Sequence, residues 1–399
     1  MAGLYLHIPF CRRRCHYCDF YFTTNQTLVD DFISALTLEI DSKKHLLQGL
    51  PIQTIYFGGG TPSLLSPTQL SKILQALNQA FETSKVAEIT LEMNPEDYTK
   101  TYVRSLKGLG INRISLGIQS FEEPKLKLLS REHSAKQAFL SLEGTLEEIP
   151  NVSIDLIFGT ENETLDHWNH ELQTILSYHP KHISAYSLTV EPKTLLAKLI
   201  SRRLRKAPKE EVQREMFLQT ISTLSTEGYH HYEVSNYGLA GFYSKHNRAY
   251  WERIPYLGFG PSAHSYFTMD TSNGRAEIRA SNQASLLSYL KSPSDSIDLS
   301  ETLLPVDIFN EKILLGLRQS KGIEKAIFNS PILMGLGEQI QLEILQTLSR
   351  FISAGFMKEN ETHFVLSSEG LALADSIAEE FFLELPIPEN SEINTSLST

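Results

Sequence analysis

The strongest constraint on the fold is an alternation in the first half of the chain. Six β-rich runs occur before residue 193: GLYLHIP (3–9), TIYFGGGTP (54–62), EITLEMNPE (88–96), RISLGIQSF (113–121), VSIDLIFGT (152–160) and HISAYSLTVEP (182–192). Amphipathic stretches at 28–47, 66–82, 97–109, 134–147 and 164–177 separate them. Each is long enough to carry the chain back across a sheet, as parallel strands require. Strand then helix, repeated, predicts parallel strands with helices packed outside. Several runs are apolar along most of their length, as strands covered on both faces are. Six units fit either a partial barrel or a doubly wound sheet.

The pattern changes after about residue 193. A charged helical stretch, SRRLRKAPKEEVQREM (201–216), leads into an aromatic-rich segment at 229–267. The last third reads as helix, helix, short strand, turn, strand, helix, an order resembling a winged-helix module. The expected division is a barrel over 1–230, an aromatic segment closing it over 231–285, an α+β, winged-helix-like domain over 286–384, and a disordered polar tail over 385–399. A hydrophobic content of 41% suffices for a substantial core. A net charge of −11 argues against general affinity for nucleic acid or an anionic membrane. No apolar run reaches about 18 residues, so no spanning helix is expected. A strand-like run follows Met1 within a few residues, leaving no room for a signal peptide. The expected location is the cytoplasm.

All three cysteines of the 399 residues lie in HIPFCRRRCHYCDFYF (7–22), as Cys11, Cys15 and Cys18. Three thiols cannot pair off, and a cytosol keeps them reduced. Their pattern, C-x3-C-x2-C, falls on the loop after the first strand. The C-terminal ends of parallel strands are where barrel and α/β enzymes place their chemistry. Three thiolates on one loop converge readily on a polynuclear centre. Protein [4Fe–4S] clusters usually take four cysteines, so three leave one iron open to a small molecule. S-adenosylmethionine can chelate such an iron through its amino and carboxylate groups. The competing reading is a zinc site with His7, His16 or Asp19 as fourth ligand, although structural zinc usually uses paired C-x2-C sets.

Other features support a site at the strand ends. FGGGTPS places Gly58, Gly59 and Gly60 where a backbone must turn tightly or approach a ligand closely. Glu92, Gln119, Arg131 and Asp155 stand at or near strand ends, and a polar group inside a buried strand costs about 1–3 kcal/mol unless paired. EVSNYGLAGFYSKHNRAYW (233–251) contains His246, Asn247, Tyr250 and Trp251. An imidazole beside aromatic rings suits an axial iron ligand under a porphyrin; a packed aromatic segment under the barrel is the plainer reading. RRLRK (202–206) is either a solvated helix face or a cationic patch for an anionic ligand, which the resemblance drawn next would make the propionates of haem.

YLHIPFCRRRCHYCDF resembles the opening signature of the radical SAM superfamily. It is closest in form to the branch containing oxygen-independent coproporphyrinogen III oxidase and the HemW-type haem chaperones, and the likeness runs from about residue 3 to about 380. The resemblance implies a partial (β/α)6 TIM-like barrel whose Cys11, Cys15 and Cys18 hold a [4Fe–4S] cluster. It assigns S-adenosylmethionine contacts to Tyr5, Tyr17, Gly59, Gly60, Thr61, Glu92, Gln119, Arg131, Asp155, Ala185 and His264. Glu92 would hold ribose or amine, and Arg131 a carboxylate; in the oxidase some of these residues meet a second S-adenosylmethionine. The form H-N-x-x-Y-W resembles the chaperones, which makes His246 the candidate haem residue, with His230, His231 and His264 behind it. GFGPSAHS fits the same group. The oxidase usually carries a fourth cysteine as C-x-C after the third and an N-terminal lid. Here Cys18 is followed by Asp19 and Phe20, and the triplet begins at residue 11. FGTENETLDHW lacks the usual Leu-Pro-Gly beside Asp155. The resemblance therefore implies a chaperone that binds haem, the cluster and S-adenosylmethionine and passes haem to acceptor proteins, including respiratory membrane proteins. The alternatives are the oxidase, which decarboxylates coproporphyrinogen III to protoporphyrinogen IX, and a zinc-stabilised, non-catalytic binding module.

Overall fold

The computed structural model of the protein describes residues 1–384 except 273. The chain forms two compact units, Met1–Thr302 and a second that begins at Leu303.

In the first unit β1 (Ala2–Ile8), β2 (Ile52–Gly59), β3 (Glu88–Met93), β4 (Arg113–Gln119), β5 (Val152–Phe158) and β6 (His182–Ser187) pair in parallel, in sequence order. The crossovers are α1 (Val29–Lys43), α2 (Pro67–Ala80), α3 (Lys100–Gly108), α4 (Glu123–Leu128), α5 (Ala135–Glu148) and α6 (Leu165–Leu176). Local chemistry sets their starts. Ser66 with Gln69, and Ser134 with Gln137, form reciprocal capping boxes at α2 and α5, and Thr164 caps α6. On β1 the alternation is direct. Leu4, Leu6 and Ile8 are fully buried. Gly3, Tyr5 and His7 face the barrel interior, against Thr54, Tyr56 and Gly59. The six units thus form the partial TIM-like barrel that the alternation allowed.

The segment after β6 completes this unit. It comprises α7 (Leu195–Ser201), α8 (Glu210–Thr226), β7 (His230–Glu233), β8 (Asn236–Gly238), α9 (Lys245–Trp251), β9 (Tyr256–Phe259), β10 (His264–Thr271), β11 (Gly274–Asn282), α10 (Leu286–Lys291) and β12 (Ile297–Thr302). The sheet order is β12-β11-β10-β9-β1-β2-β3-β4-β5-β6-β8-β7. β9 adds a seventh parallel strand beside β1, a pairing not visible in the aromatic segment's sequence. β8 and β10 run antiparallel to their neighbours and end the parallel array.

The unit boundary at Thr302 lies beyond the expected 285. The reason is packing: β12 pairs with β11, and α10 is tied to α1. Fully buried Glu39 of α1 accepts hydrogen bonds from Lys43 Nζ (2.6 Å), Gly260 N (2.8 Å), Asn282 Nδ2 (2.6 Å), Tyr289 OH (2.6 Å) and Ser296 Oγ (2.9 Å). One carboxylate therefore anchors residues 260–296 to the first helix.

The second unit contains α11 (Pro305–Leu317), α12 (Pro331–Gly335), α13 (Glu338–Ser353), α14 (Ser368–Leu371) and α15 (Ala374–Glu379). Its sheet is β13-β15-β14, from β13 (Ile323–Glu324), β14 (Met357–Glu359) and β15 (His363–Leu366). The order helix, short strand, helices, hairpin, helix is winged-helix-like. The expected disordered tail, 385–399, lies outside the described residues. Among the described residues no helix is long and apolar enough to cross a membrane.

Candidate functional site

A cavity of about 700 Å³ opens at the C-terminal ends of the parallel strands, within the span of about 300–1,000 Å³ usual for cofactor sites. Cys11, Cys15 and Cys18 all line it, with Tyr17, Gly59, Gly60, Thr61, Glu92, Gln119, Arg131 and Asp155. The barrel thus gathers onto one surface residues spread over 145 positions of sequence.

The thiol loop is held at its stem. Gly60 N donates to Ile8 O (2.8 Å), Cys11 N to Thr23 O (3.0 Å) and Thr23 N to Pro9 O (2.6 Å). The guanidinium of Arg12 bonds Asp97, which also accepts from Ser63 Oγ at 2.7 Å. The glycines serve this stem. A Cβ on Gly59 (φ +104°) would lie 2.6 Å from the His7 ring, and one on Gly60 2.7 Å from the carbonyls of Ile8 and Phe10. Close packing of protein against protein is reason enough for glycine at both positions.

The thiols are free. Burial pushes Cys11 up to about 11, against a 3.6 Å hydrogen bond from Thr61 Oγ1. Burial also raises Cys18. Such thiols are poor nucleophiles at neutral pH and lose their protons when a metal takes them. Three soft sulfur donors on one cavity fit an iron–sulfur centre. Among the described residues no three His, Cys, Asp or Glu side chains are arranged to hold a single metal ion. Of the candidate fourth ligands for zinc, Asp19 lines the cavity with the thiols, whereas His7 and His16 do not. His7 is buried, gives Nε2 to Tyr21 O at 2.8 Å, and is pushed down to about 4 by that burial. His16 faces a separate crevice.

Charged groups are placed around the thiols. Arg131 Nη2 donates to Asn94 Oδ1 (2.6 Å) and Gly117 O (2.9 Å), and Nη1 reaches Cys15 Sγ at 4.0 Å. Its Nε is buried and makes no hydrogen bond within the protein, while the guanidinium as a whole brings a cation to the cavity wall. Across the cavity, Glu92 accepts from Tyr56 OH at 2.8 Å. Burial, reinforced by the charge of Asp155, lifts Glu92 to about 7. Asp155 accepts from Ser115 Oγ (2.8 Å) and Ser153 Oγ (3.1 Å), and burial raises it despite those hydroxyls. A guanidinium and two carboxyls, both shifted upward by burial, line one cavity; a ligand with both a carboxylate and a cationic centre suits both. Gln119 sits at φ 65°, the left-handed region, where the cavity meets β4.

The loop lacking Leu-Pro-Gly is secured another way. Glu163 accepts from Thr160 N (2.8 Å), Thr160 Oγ1 (2.9 Å) and Lys125 Nζ (2.5 Å).

Four named residues lie outside the cavity lining. Tyr5 is inside the barrel, stacked near Tyr56 and His246. Ala185 is buried in β6, its N–H bonded to Ser235 O at 2.9 Å. His264 begins β10 and is exposed. His246 lies farthest from the thiols along the strands. It lies beside Gly3 and Thr54, at the opposite, N-terminal end of the strands. Glu88 draws in the start of α9 by accepting from Lys245 N (3.0 Å) and His246 N (3.1 Å). The ring then engages both nitrogens, Nδ1 with Thr54 Oγ1 and Nε2 with Tyr250 OH, each at 2.8 Å. Burial and Arg113 push it down to about 3. Both ring nitrogens are thus engaged within the protein, as the packed aromatic reading expects. His230 bonds the Tyr243 hydroxyl, and His231 stacks on Tyr237.

Sequence reading missed Asn94 and Ser115. Asn94 stands one residue past the apolar end of β3 and before a proline, a signal that could have been used. Ser115 gave none.

Comparison with known proteins agrees with this geometry. The radical SAM superfamily profile matches residues 5–175. Haem chaperone HemW of Bacillus subtilis is 33% identical over 389 residues, covering 96% of this chain and all of that protein. Haem chaperone HemW of Synechocystis is 37% identical, covering 88% and 84%. The mitochondrial radical S-adenosyl methionine domain-containing protein 1 of Danio rerio is 30% identical, covering 96% and 87%. Among solved structures, the coproporphyrinogen III oxidase HemN of Escherichia coli, a radical SAM enzyme, superposes with a TM-score of 0.78 at 23% identity, covering 96% of this chain and 90% of that one. That likeness shows the fold alone.

Proposed function

Because the chain belongs to the radical SAM superfamily and, within it, to the family of the HemW haem chaperones, we propose that it binds haem and hands it to haem-requiring acceptor proteins. Membership brings a [4Fe–4S] cluster and S-adenosylmethionine as cofactors. The single observation that carries the reading is a strand-end cavity lined by three thiols in a chain with no fourth cysteine, in a protein whose HemW relatives it matches end to end.

Cys11, Cys15 and Cys18 would hold the cluster. Arg131 would take the carboxylate of S-adenosylmethionine, and Glu92 its cationic or ribose end. Gly59, Gly60 and Thr61 would present backbone to the amine end, while Tyr17, Gln119 and Asp155 complete the walls. Bound S-adenosylmethionine supplies a sulfonium that one electron from the cluster can cleave. The chain's own part is to fix that ligand and keep water from it. The acceptors include respiratory membrane proteins in this reading.

The oxidase reading stays distinct because it predicts a product. Anaerobic haem titration of the cluster-loaded protein should give a Soret band. Incubation with coproporphyrinogen III, S-adenosylmethionine and a reductant should give no vinyl porphyrin. Turnover without haem binding would reverse the assignment.

A further inference from the structure

We propose that the basic surface beside the thiol loop docks an acidic one-electron carrier protein, which reduces the centre that Cys11, Cys15 and Cys18 hold; this rests on the cluster reading of the loop and is independent of haem delivery. Two stretches far apart in sequence build the surface. Arg12, Arg13 and Arg14 lie within the thiol loop and are exposed. The span 193–209 carries seven Lys and Arg residues and no Asp or Glu, in a chain whose net charge is −11. Packing brings the two together. Leu196 N donates to His16 O at 2.8 Å, and Leu196 and Tyr17 pack against the buried cluster of Leu129, Ile157 and Leu188. Arg205 and Lys206 line a small crevice with His16 and Tyr17.

Most of this charge has no counter-charge beside it. Arg12 pairs with Asp97, Arg13 reaches Glu132 at 3.9 Å and Arg205 reaches Glu161 at 3.5 Å. Arg14, Lys198, Arg202, Arg203 and Lys206 are exposed and form no ion pair among the described residues. The acidic groups at the cavity rim, Asp19, Glu132 and Glu191, are fewer than these cations. Apolar groups stand in the same basic field: Phe20 is 69% exposed and Leu204 66%. Apolar contacts ringed by charge suit a docking site. Position then names the partner's chemistry. The three cysteines are half-buried at the cavity mouth, so a protein seated on the adjoining arginines stands next to the centre they hold. One electron leaves the carrier's reduced flavin or iron–sulfur group and enters the cluster; the carrier is oxidised by one electron, the cluster is reduced by one, and no bond breaks in this step. Opposite charge steers such an encounter and makes it salt-sensitive. Redox encounters use small interfaces, which a local patch supplies. A membrane or a nucleic acid would extend past the patch onto the acidic remainder of the chain.

The test uses the full-length protein, reconstituted anaerobically with its cluster, and takes flavodoxin and a [2Fe–2S] ferredoxin as probes. Calorimetric titration of wild type should show saturable binding of a carrier that weakens as salt is added. Arg202→Glu with Arg203→Glu and Lys206→Glu should weaken binding about tenfold or more at low ionic strength, flatten its salt dependence and slow stopped-flow reduction by the reduced carrier, with iron and sulfide content unchanged. Lys85→Glu with Lys107→Glu, at exposed lysines near the N-terminal ends of β3 and β4, should match wild type in each assay. Unchanged affinity and salt dependence in the triple variant would overturn the docking surface, as would a cluster-loaded wild type that binds neither carrier. An equal loss in the lysine control would also overturn it, as an effect of net charge alone. A wild type that assembles no cluster would overturn the cluster reading and the docking surface with it. Binding to phosphatidylglycerol vesicles that the triple variant loses, with carrier binding equal in both proteins, would reassign the patch to a membrane surface and overturn the proposal.

Discussion

Glu92 should weaken the fold it belongs to, and removing its charge should show by how much. Its carboxyl is lifted from the usual 4.5 to about 7, chiefly by burial, with Asp155 adding and the Tyr56 hydrogen bond opposing. At about 1.4 kcal/mol per pH unit, the shift corresponds to about 3 kcal/mol. Between pH 4.5 and 7 the folded protein keeps a proton on Glu92 that the unfolded chain has released. Stability from this group therefore falls as pH rises through that window and levels off above it. Glu92→Gln keeps the shape and a hydrogen bond to Tyr56 but has no charge to desolvate. Without ligand, its melting temperature should match wild type near pH 5 and exceed it by a few degrees at pH 8, at about 2 °C per kcal/mol. Scanning calorimetry from pH 5 to 8 measures the gap. A gap independent of pH, or one that closes toward alkaline pH, would refute the reasoning. The same variant should bind S-adenosylmethionine more weakly by calorimetric titration, because the cationic ligand is what repays the buried carboxylate.

Three further outcomes follow from the geometry. Cys15→Ser should abolish cluster assembly, seen as loss of bound iron and of the broad visible absorbance, while far-ultraviolet circular dichroism stays unchanged. Glu39→Gln leaves buried Lys43 without its counter-charge and should cost about 3–5 kcal/mol, read as a lower melting temperature with faster hydrogen exchange across 282–296. His246→Phe orphans the hydroxyls of Thr54 and Tyr250 and should cost about 1–3 kcal/mol for each that stays unpaired, read as a lower melting temperature.

Much of the parallel array was legible because burial on both faces leaves apolar runs, and crossovers need helix-length connections. The thiol loop was legible because three cysteines at that spacing have few other uses. β9 was not, since a four-residue parallel strand whose partner lies some 250 residues earlier leaves no local signal. The attachment of 286–302 to the first unit depends on Glu39, a residue whose charge predicts exposure although it lies on the buried face of α1 with Ala35 and Leu36, and whose burial is satisfied by five converging donors. His246 was ambiguous for the converse reason. A histidine among aromatics reads equally as ligand or core, and only the bonds at both ring nitrogens decide.

The most direct measurement of the central claim is Mössbauer spectroscopy of the ⁵⁷Fe-reconstituted protein with and without S-adenosylmethionine. A [4Fe–4S] signal in which one iron site alone shifts on adding the ligand is the predicted result. A colourless zinc protein, or a cluster whose four irons ignore S-adenosylmethionine, would contradict it.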